Sequence, residues 1–421
     1  MIDVLNTTSE LSTDQLATIT WGCPPSPRYS SLVENIRPLL VKIKDGAAER
    51  DCNRILPGPE INELKALGFG AIRVPADYGG AAVTLPEFFA MIIELGEADS
   101  NIAQALRGHF AFVEDLMSFG ATPFADRWLK IAGRNETASN AMAEIGPGAM
   151  QKSLLTKLIE QDGNFSVTGS KYYSTGAMYA DWIEVSAADA AGESVLAMIN
   201  RHAKGVEIID DWDGFGQKLT ASGTAHFSNV QVAENDLRKH STRFGHSLPY
   251  FQLYHLATLA GIARGVANDT AEFVAKRTRV YSHGAASKSS NDPQLLQVVG
   301  AVRGMAYSAG ALVMGVAQSM ENVVNLLRDG DKDAYDRACP LLEIETSQIQ
   351  SVVINLVLKA TTQAFDAMSA SSTKQGLALD RYWRNARTIA SHNPHIYKQR
   401  IVGEFAVNGT LPPARWTVGA V

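Results

Sequence analysis

Three long segments with helical periodicity occupy the second half of the chain and set the strongest limit on its fold. They begin near residue 249 and read YFQLYHLATLAGIARGVANDTAEFVAKRTRVY, DPQLLQVVGAVRGMAYSAGALVMGVAQSMENVVNLL and YDRACPLLEIETSQIQSVVINLVLKATTQAFDAMSA. Apolar residues recur in them at the three- and four-residue spacing of an amphipathic helix. Helices of this length bury their apolar faces by packing on one another, so the sequence predicts a helical bundle.

The two preceding regions have different textures. Short alternating runs such as GNFSVTGSKYY, DWIEVSAA and TAHFSNVQV, separated by Gly, Asn and Asp, are typical of strands. Before them, segments such as SSLVENIRPLLVKIKDGAAERD are helical again, with a turn-rich VPADYGG between helices. The expected α+β fold has an N-terminal helical domain (1–136), a β-barrel-like middle domain (137–235) and a C-terminal four-helix bundle (236–421).

Composition excludes several classes of function. The chain has 421 residues with 38 basic and 44 acidic side chains, a net charge of −6, which argues against a nucleic-acid partner. Its three cysteines form no CxxC pair, so neither a zinc site nor a redox dithiol is expected. A polar, acidic start and the lack of 18 consecutive apolar residues predict a cytoplasmic protein without a membrane partner.

The common cofactor and catalytic motifs are absent from the sequence. GFGAIR and GFGQKL each lack the third glycine of a dinucleotide-binding loop, and GSKYYSTG lacks the order of a phosphate-binding loop. No HExxH metal motif and no GxSxG nucleophile motif occurs. We therefore expect no NAD site, no nucleoside triphosphate site and no metal.

Five motifs, in the same order along the chain, resemble those of the acyl-CoA dehydrogenase superfamily. They are LGFGAIRVPADYGG (67–80), NAMAEIGPGAM (140–150), GSKYYSTGAMYADWI (169–183), GFGQKLTASGTAHFSNVQV (214–232) and DRYWRNAR (380–387). The resemblance implies the same three-domain fold and a bound flavin. A flavin ring needs hydrogen-bond donors along one edge and flat apolar walls on its faces.

The resemblance assigns candidate flavin contacts residue by residue. Ser174 matches a threonine whose hydroxyl approaches flavin N5, with Tyr173 and Thr175 on either side, while Asn140 and the Met142 backbone match the facing loop. From the residues alone, Ser174 and Thr175 could equally cap a turn.

A basic segment, KRTRVYSHG, resembles a family motif that reaches the flavin of a neighbouring subunit. It makes Arg279, with Gln297 behind it, the candidate ligand for the flavin phosphate. A guanidinium binds phosphate through two parallel hydrogen bonds, although an exposed basic helix end also serves as a dipole partner. The resemblance leaves FMN and FAD open and implies a homotetramer.

One departure from the dehydrogenase pattern changes the expected chemistry. The glutamate that removes the substrate proton in most members is replaced at the matching position by His392-Asn393. The alternative position on the first bundle helix is also empty, because no acidic residue occurs between Asp236 and Asp269. The sequence instead resembles the two-component flavin-dependent monooxygenases of this fold. There, a separate NAD(P)H:flavin reductase supplies reduced flavin, and a flavin C4a-hydroperoxide transfers oxygen to an organosulfur or similar compound.

Four side chains are the expected catalytic set. His109 matches a histidine of the monooxygenases and His392 is a candidate by position, since an imidazole manages a proton near neutral pH. Asn140 and Ser174 complete the set by the same match, whereas Val113 replaces a tyrosine of some relatives.

Other readings of the same residues stay open. The remaining histidines, including His255, His283 and His395, are expected to make local hydrogen bonds. Aromatic residues at 250, 251 and 254 either wall a substrate pocket or pack in the core. A dehydrogenase with a displaced base, an amine N-hydroxylase or nitroso-forming enzyme, and a non-catalytic flavin-binding protein remain alternatives.

Overall fold

The computed structural model describes residues 20–118, 120–145, 154–240 and 243–413. The second half of the expected flavin loop, residues 146–150, lies outside the described residues. The helices of the N-terminal part are α1 (Tyr29–Val33), α2 (Arg37–Asn53), α3 (Gly58–Ala66), α4 (Leu85–Ser118) and α5 (Pro123–Gly133), with 3₁₀ helices at Phe69–Ala71 and Ala76–Tyr78.

Helix α4 is bent at Asp99, whose backbone leaves the helical region with φ −156° and ψ 109°. The Asp99 carboxylate accepts a hydrogen bond from the Asn101 backbone N–H at 3.0 Å and so caps the second half of the helix. Arg50 holds the same carboxylate at 3.0 Å from α2. The second half is buried along almost its whole length, because it lies between the middle domain and the bundle.

The middle domain is a mixed eight-stranded sheet. Its strands are β1 (Ala138–Ala141), β2 (Lys157–Gln161), β3 (Asn164–Lys171), β4 (Trp182–Ala188), β5 (Ser194–Asn200), β6 (Val206–Ile208), β7 (Ala225–Val232) and β8 (Leu237–Lys239), with a 3₁₀ helix at Glu234–Asp236. The order is β6-β7-β3-β2-β4-β5-β8, and β1 pairs with β4 in parallel. Because β8 pairs with β5, the sheet extends past residue 235, where the sequence placed the end of the domain.

The C-terminal helices form the bundle. They are α6 (Ser247–Lys276), α7 (Pro293–Arg328), α8 (Lys332–Met368), α9 (Asp380–Ala390) and α10 (Ile396–Asn408), with 3₁₀ helices at Ser289–Asn291, Ala370–Thr373 and Gln375–Leu377. Asp292 caps α7 by accepting from the Gln294 N–H at 2.9 Å, and Pro293 occupies the first helical position. One apolar core runs through α4, α6, α7 and α8, so the N-terminal helices and the bundle share it.

Helix α7 is the one helix among the described residues that is long and apolar enough to cross a membrane. Its most apolar 18 residues have a mean hydropathy of 1.3, and 28% of that stretch is buried. A single such helix is weak evidence for a membrane span, since helices of water-soluble proteins pass the same criterion. The helical–β–helical fold expected from the sequence is confirmed.

Candidate active site

Two glycines bring the middle domain into close contact with α4. A Cβ on Gly176 would lie 2.2 Å from the carbonyl oxygen of Ala105, and Gly176 has a left-handed φ of +82°. A Cβ on Gly108 would lie 2.6 Å from Oδ1 of Asn140. No larger residue fits either position without movement, so α4 lies directly against the turn and the strand that carry the candidate flavin contacts.

Ser174 is available to a ligand and its neighbour Thr175 is not. The Ser174 side chain is fully buried, and its Oγ has no hydrogen-bond partner within the described part of the chain. Thr175 Oγ1 instead forms a hydrogen bond with Ser222 Oγ at 2.8 Å. Tyr173 has a left-handed φ of +57° and a half-exposed ring that packs 6.0 Å from Trp212. The expected turn thus presents one free hydroxyl beside an aromatic pair.

The facing strand holds Asn140 and Met142. Asn140 lies on β1 above Gly108, and the Met142 carbonyl accepts a hydrogen bond from Ser186 Oγ at 3.0 Å. Lys171 and Glu144 form a buried ion pair at 2.7 Å behind this strand. A buried hydroxyl without a partner among the described residues, next to a half-exposed tyrosine ring, fits the donors and flat walls that a flavin ring requires.

His109 is buried and both of its ring nitrogens are bonded to backbone. Nε2 donates to the Gly70 carbonyl at 2.6 Å, and Nδ1 accepts from the Ala138 N–H at 3.2 Å. Burial lowers the pKa of His109 to about 4, so the ring is neutral at physiological pH. The ring therefore ties α4 to β1, which makes it a positioning residue for Asn140. Its catalytic role stays a prediction.

His392 follows the end of α9 and lies beside α6, next to a histidine whose role the sequence did not reveal. Its ring centroid is 4.4 Å from that of His255 on α6. His392 is an exposed residue. The surrounding protein, and then the positive charge of Arg107, lower its pKa. Burial also lowers the pKa of His255 well below its ordinary value, so both rings are neutral at physiological pH.

The sequence analysis also missed Gln104 and Arg107, which lie one helical turn apart on α4. Gln104 Nε2 lies 3.4 Å from His255 Nε2, and the Arg107 guanidinium stacks 5.3 Å from the Phe251 ring centroid. Burial lowers the pKa of Arg107 to about 10, which leaves it charged at neutral pH. We call Gln104, Arg107, Phe251, His255 and His392 the His–Arg cluster. Helical spacing offers a signal for part of it, because residues 251 and 255 share one face of α6.

Two of the three aromatic residues at the start of α6 lie in the core, and the third belongs to the His–Arg cluster. Tyr250 and Tyr254 are fully buried, and the Tyr254 hydroxyl donates to the Ala103 carbonyl at 2.8 Å. Phe251 is only partly buried and faces the cluster. Val113 is a buried core residue of α4. Of the three aromatic residues, only Phe251 is therefore a candidate to contact a substrate.

Arg279 and Gln297 are exposed at the opposite end of the bundle. Arg279 follows the last residue of α6, Lys276, which is 21 residues beyond His255. At 1.5 Å per residue this separation is about 30 Å. Arg279 does not reach the His–Arg cluster of its own chain. Its expected role in flavin binding therefore requires a second subunit and stays a prediction.

Comparison with protein families finds three matches that together span most of the chain. The acyl-CoA dehydrogenase N-terminal domain matches residues 31–136, the middle domain matches residues 139–230 and the C-terminal domain matches residues 253–396.

Several relatives are named as monooxygenases. The probable FMNH₂-dependent monooxygenase SfnC of Pseudomonas putida is 26% identical, over 92% of this chain and 97% of that protein. The dibenzothiophene monooxygenase of Mycolicibacterium goodii is 24% identical, over 91% of this chain and 95% of that protein. The solved structure of methanesulfinate monooxygenase MsuC from Pseudomonas fluorescens has the same fold, with a TM-score of 0.80 and 24% identity over 93% of this chain and 99% of that one.

Proposed function

The chain belongs to the acyl-CoA dehydrogenase family, and from that premise we propose that it is an FMNH₂-dependent monooxygenase that oxygenates an organosulfur compound. Bound FMNH₂ would supply two electrons to O₂, so that one oxygen atom enters the substrate, the other leaves as water and FMN is released. Relatives named as FMNH₂-dependent and as acting on dibenzothiophene support FMN and a sulfur substrate. The chain lacks a nicotinamide motif, so a separate reductase would supply the FMNH₂.

The observation that carries the proposal is that, among the described residues, no carboxylate is one of the groups that act on the His255 and His392 rings. A dehydrogenase needs a base that removes a proton from carbon. At the matching position stands His392, whose described neighbours are His255, Arg107 and Asn393. None of these is an acid, and an imidazole whose pKa is lowered is a weak base for that step. The same neutral ring donates and accepts hydrogen bonds, which oxygen transfer requires.

The remaining roles are contact with the flavin and control of a proton. The Ser174 hydroxyl, which has no partner among the described residues, can donate to the flavin, and Asn140 lies on β1 against Gly108 of α4. The imidazoles of His255 and His392 can hold a proton on one ring nitrogen and accept at the other, since each stays neutral.

Isotope labelling tests the reaction. The full-length protein is incubated with FMN, NADH, a separate flavin reductase and ¹⁸O₂, together with a panel of thioethers, sulfinates and thiophenes. We expect a product that carries one ¹⁸O atom. Bleaching of bound flavin by an acyl-CoA, with no ¹⁸O in any product, would show a dehydrogenase instead.

Substitution of His392 tests its assignment. We expect His392→Ala to lower oxygenation about 100-fold or more while FMN affinity is retained, because a positioned proton donor or acceptor contributes that much to rate. Arg134→Met, on the exposed surface beside Glu136, is the control and leaves the rate unchanged. Full activity of the His392 variant would remove this residue from the mechanism.

We further propose that the flavin phosphate is bound by Arg279 of a neighbouring subunit in a homotetramer. The largely exposed apolar surface of α7 supports an assembly through this helix. Light scattering during size-exclusion chromatography tests the assembly. Arg279→Met is expected to weaken FMN binding and to leave riboflavin binding unchanged, and equal effects on both ligands would reject the phosphate contact.

A further inference from the structure

Arg107 differs from the other buried arginines in having no carboxylate partner. Four arginines are buried among the described residues: Arg50, Arg73, Arg107 and Arg381. Arg50 pairs with Asp99 at 3.0 Å, Arg73 with Glu114 at 2.7 Å and Arg381 with Asp269 at 3.4 Å. Within the described part of the chain, Arg107 forms no ion pair, and its buried Nε has no hydrogen-bond partner. A buried cation without a counter-charge is unfavourable, so this position is suited to an anion supplied from outside the chain.

The side chains around Arg107 are neutral or positive. The Phe251 ring lies between two guanidinium groups, with Arg107 at 5.3 Å and Arg243 at 5.7 Å from its centroid. The charge of Arg243 has a partner in the Glu184 carboxylate at 3.9 Å. Of the two guanidinium groups, only Arg107 is therefore without a negative charge beside it among the described residues. Gln104 has one amide atom bonded to His255 and a buried Oε1 without a partner. Rotation of this amide would turn its NH₂ group toward a bound anion.

The position of Arg107 on α4 places the charge next to the candidate flavin contacts. Ala105, two residues before it, touches Gly176 of the flavin turn, and Gly108, the next residue, touches Asn140. Arg107 itself points to the α6 side, where Phe251 lies. His392 is near enough for the charge of Arg107 to lower its pKa. An anion at Arg107 would therefore lie between the flavin contacts and the two histidines.

We propose that Arg107, with Gln104 and the His255–His392 pair, is the subsite for an oxyanion group of the substrate, so that the substrate is a small organosulfur anion such as a sulfinate, whose sulfur still has a lone pair to accept one oxygen atom. The planar guanidinium holds such a group through two parallel N–H donors, and the neutral imidazoles add further donors. The role of this anion as the oxygenated substrate rests on the proposed function, whereas anion binding at Arg107 does not.

Equilibrium binding to the full-length, flavin-free protein tests the subsite. The probes are sodium methanesulfinate, sodium methanesulfonate and dimethyl sulfone, a neutral compound of similar size, and binding is measured by isothermal titration calorimetry. We expect the anions to bind and dimethyl sulfone not to bind. Arg107→Met should raise the Kd of methanesulfinate about 10- to 100-fold, as loss of a charged hydrogen bond predicts. Arg107→Lys should restore part of the affinity, and Arg134→Met should have no effect. An unchanged Kd in Arg107→Met overturns the proposal.

Two further measurements identify the role of Arg107. A guanidinium that only supports the fold would lower the melting temperature when removed, whereas loss of an unpaired charge should leave the melting temperature of Arg107→Met unchanged or higher. The flavin phosphate is the other possible source of an oxyanion, and comparison of FMN with riboflavin separates the two. Weaker binding of FMN alone, with methanesulfinate unaffected, would assign Arg107 to the phosphate and overturn the substrate assignment.

The labelling experiment separates this proposal from the proposed function. Oxygenation of a neutral thioether, with no affinity for methanesulfinate, would overturn the oxyanion subsite and leave the monooxygenase intact. Tight binding of methanesulfinate through Arg107, with no ¹⁸O in any product, would keep the anion site and overturn the oxygenation reaction.

Discussion

The strongest quantitative prediction concerns acid stability and His109. In the folded protein the pKa of His109 is about 4, because burial disfavours the charged ring, while in the unfolded chain it is the ordinary 6.5. Between these values the unfolded chain binds a proton that the folded protein does not bind. The free energy of unfolding therefore falls as the pH drops from about 6.5 to about 4, by about 3 kcal/mol at about 1.4 kcal/mol per pH unit.

A difference between two proteins isolates this effect from that of the other buried histidines. His109→Gln removes the titrating ring and disturbs hydrogen bonds to the Gly70 carbonyl and the Ala138 N–H. We expect it to be less stable than the wild type by roughly 2–4 kcal/mol at pH 7.5, since buried backbone groups lose partners. At pH 4.5 this deficit should shrink by about 2.5 kcal/mol. The unfolded wild-type chain is then protonated at His109 and is stabilised relative to the folded protein, whereas the variant has no ring to protonate. His255 and His392 titrate equally in both proteins and cancel.

Urea denaturation at pH 7.5 and pH 4.5, extrapolated linearly to water, measures the deficit. Histidine ring resonances in NMR spectra provide a direct check, because the signal that disappears in His109→Gln should not titrate between pH 7.5 and 5.5 in the wild type. An equal stability deficit at both pH values, or a resonance that titrates near pH 6.5, would refute the assignment of His109 as a buried neutral ring with two hydrogen bonds.

Three further predictions concern the surroundings of the flavin contacts. Ser174→Ala should leave the flavin-free protein as stable or about 1 kcal/mol more stable, since Oγ has no partner, and should raise the Kd of FMN about 5- to 10-fold, as fluorescence titration would show. Gly176→Ala should lower the free energy of unfolding by about 2 kcal/mol or more, because it combines a left-handed backbone with a Cβ 2.2 Å from the Ala105 carbonyl; wild-type stability in urea would contradict this contact. Lys171→Met should cost about 3–5 kcal/mol by leaving Glu144 buried without its partner, and a melting temperature within 1–2 °C of wild type would show that the ion pair is not buried.

Much of the fold is legible in the sequence because it depends on local patterns. The periodicity that predicts α6, α7 and α8 follows from the geometry of a helix with one buried face. The end of the middle domain was less exact. Strand β8 has three residues, Leu237–Lys239, and forms because β5 offers it a free edge, which a window of sequence does not contain.

The candidate site was legible where a motif carries it. Ser174 and Asn140 were named from family motifs. The structure places Asn140 against Gly108 of α4 and brings the turn of Ser174 to α4 through Gly176, while their function remains to be tested. His109 and His392 were also named from the sequence, but their environments were not. The sequence assumed proton transfer near neutral pH, whereas burial keeps His109 neutral down to acidic pH, and the surrounding protein and Arg107 lower the pKa of the exposed His392.

Sequence by itself determined the three-part order of helices and strands, the family and the missing carboxylate at His392, because each depends on residue identity and spacing along the chain. The tertiary structure alone decided that Arg107 has no counter-ion among the described residues, that His255 meets His392 and that both ring nitrogens of His109 are hydrogen-bonded. These properties depend on which side chains distant segments bring together and on the exclusion of water between them. The charge and the protonation states of the His–Arg cluster follow from that packing. The class of substrate that we propose follows from the charge of Arg107.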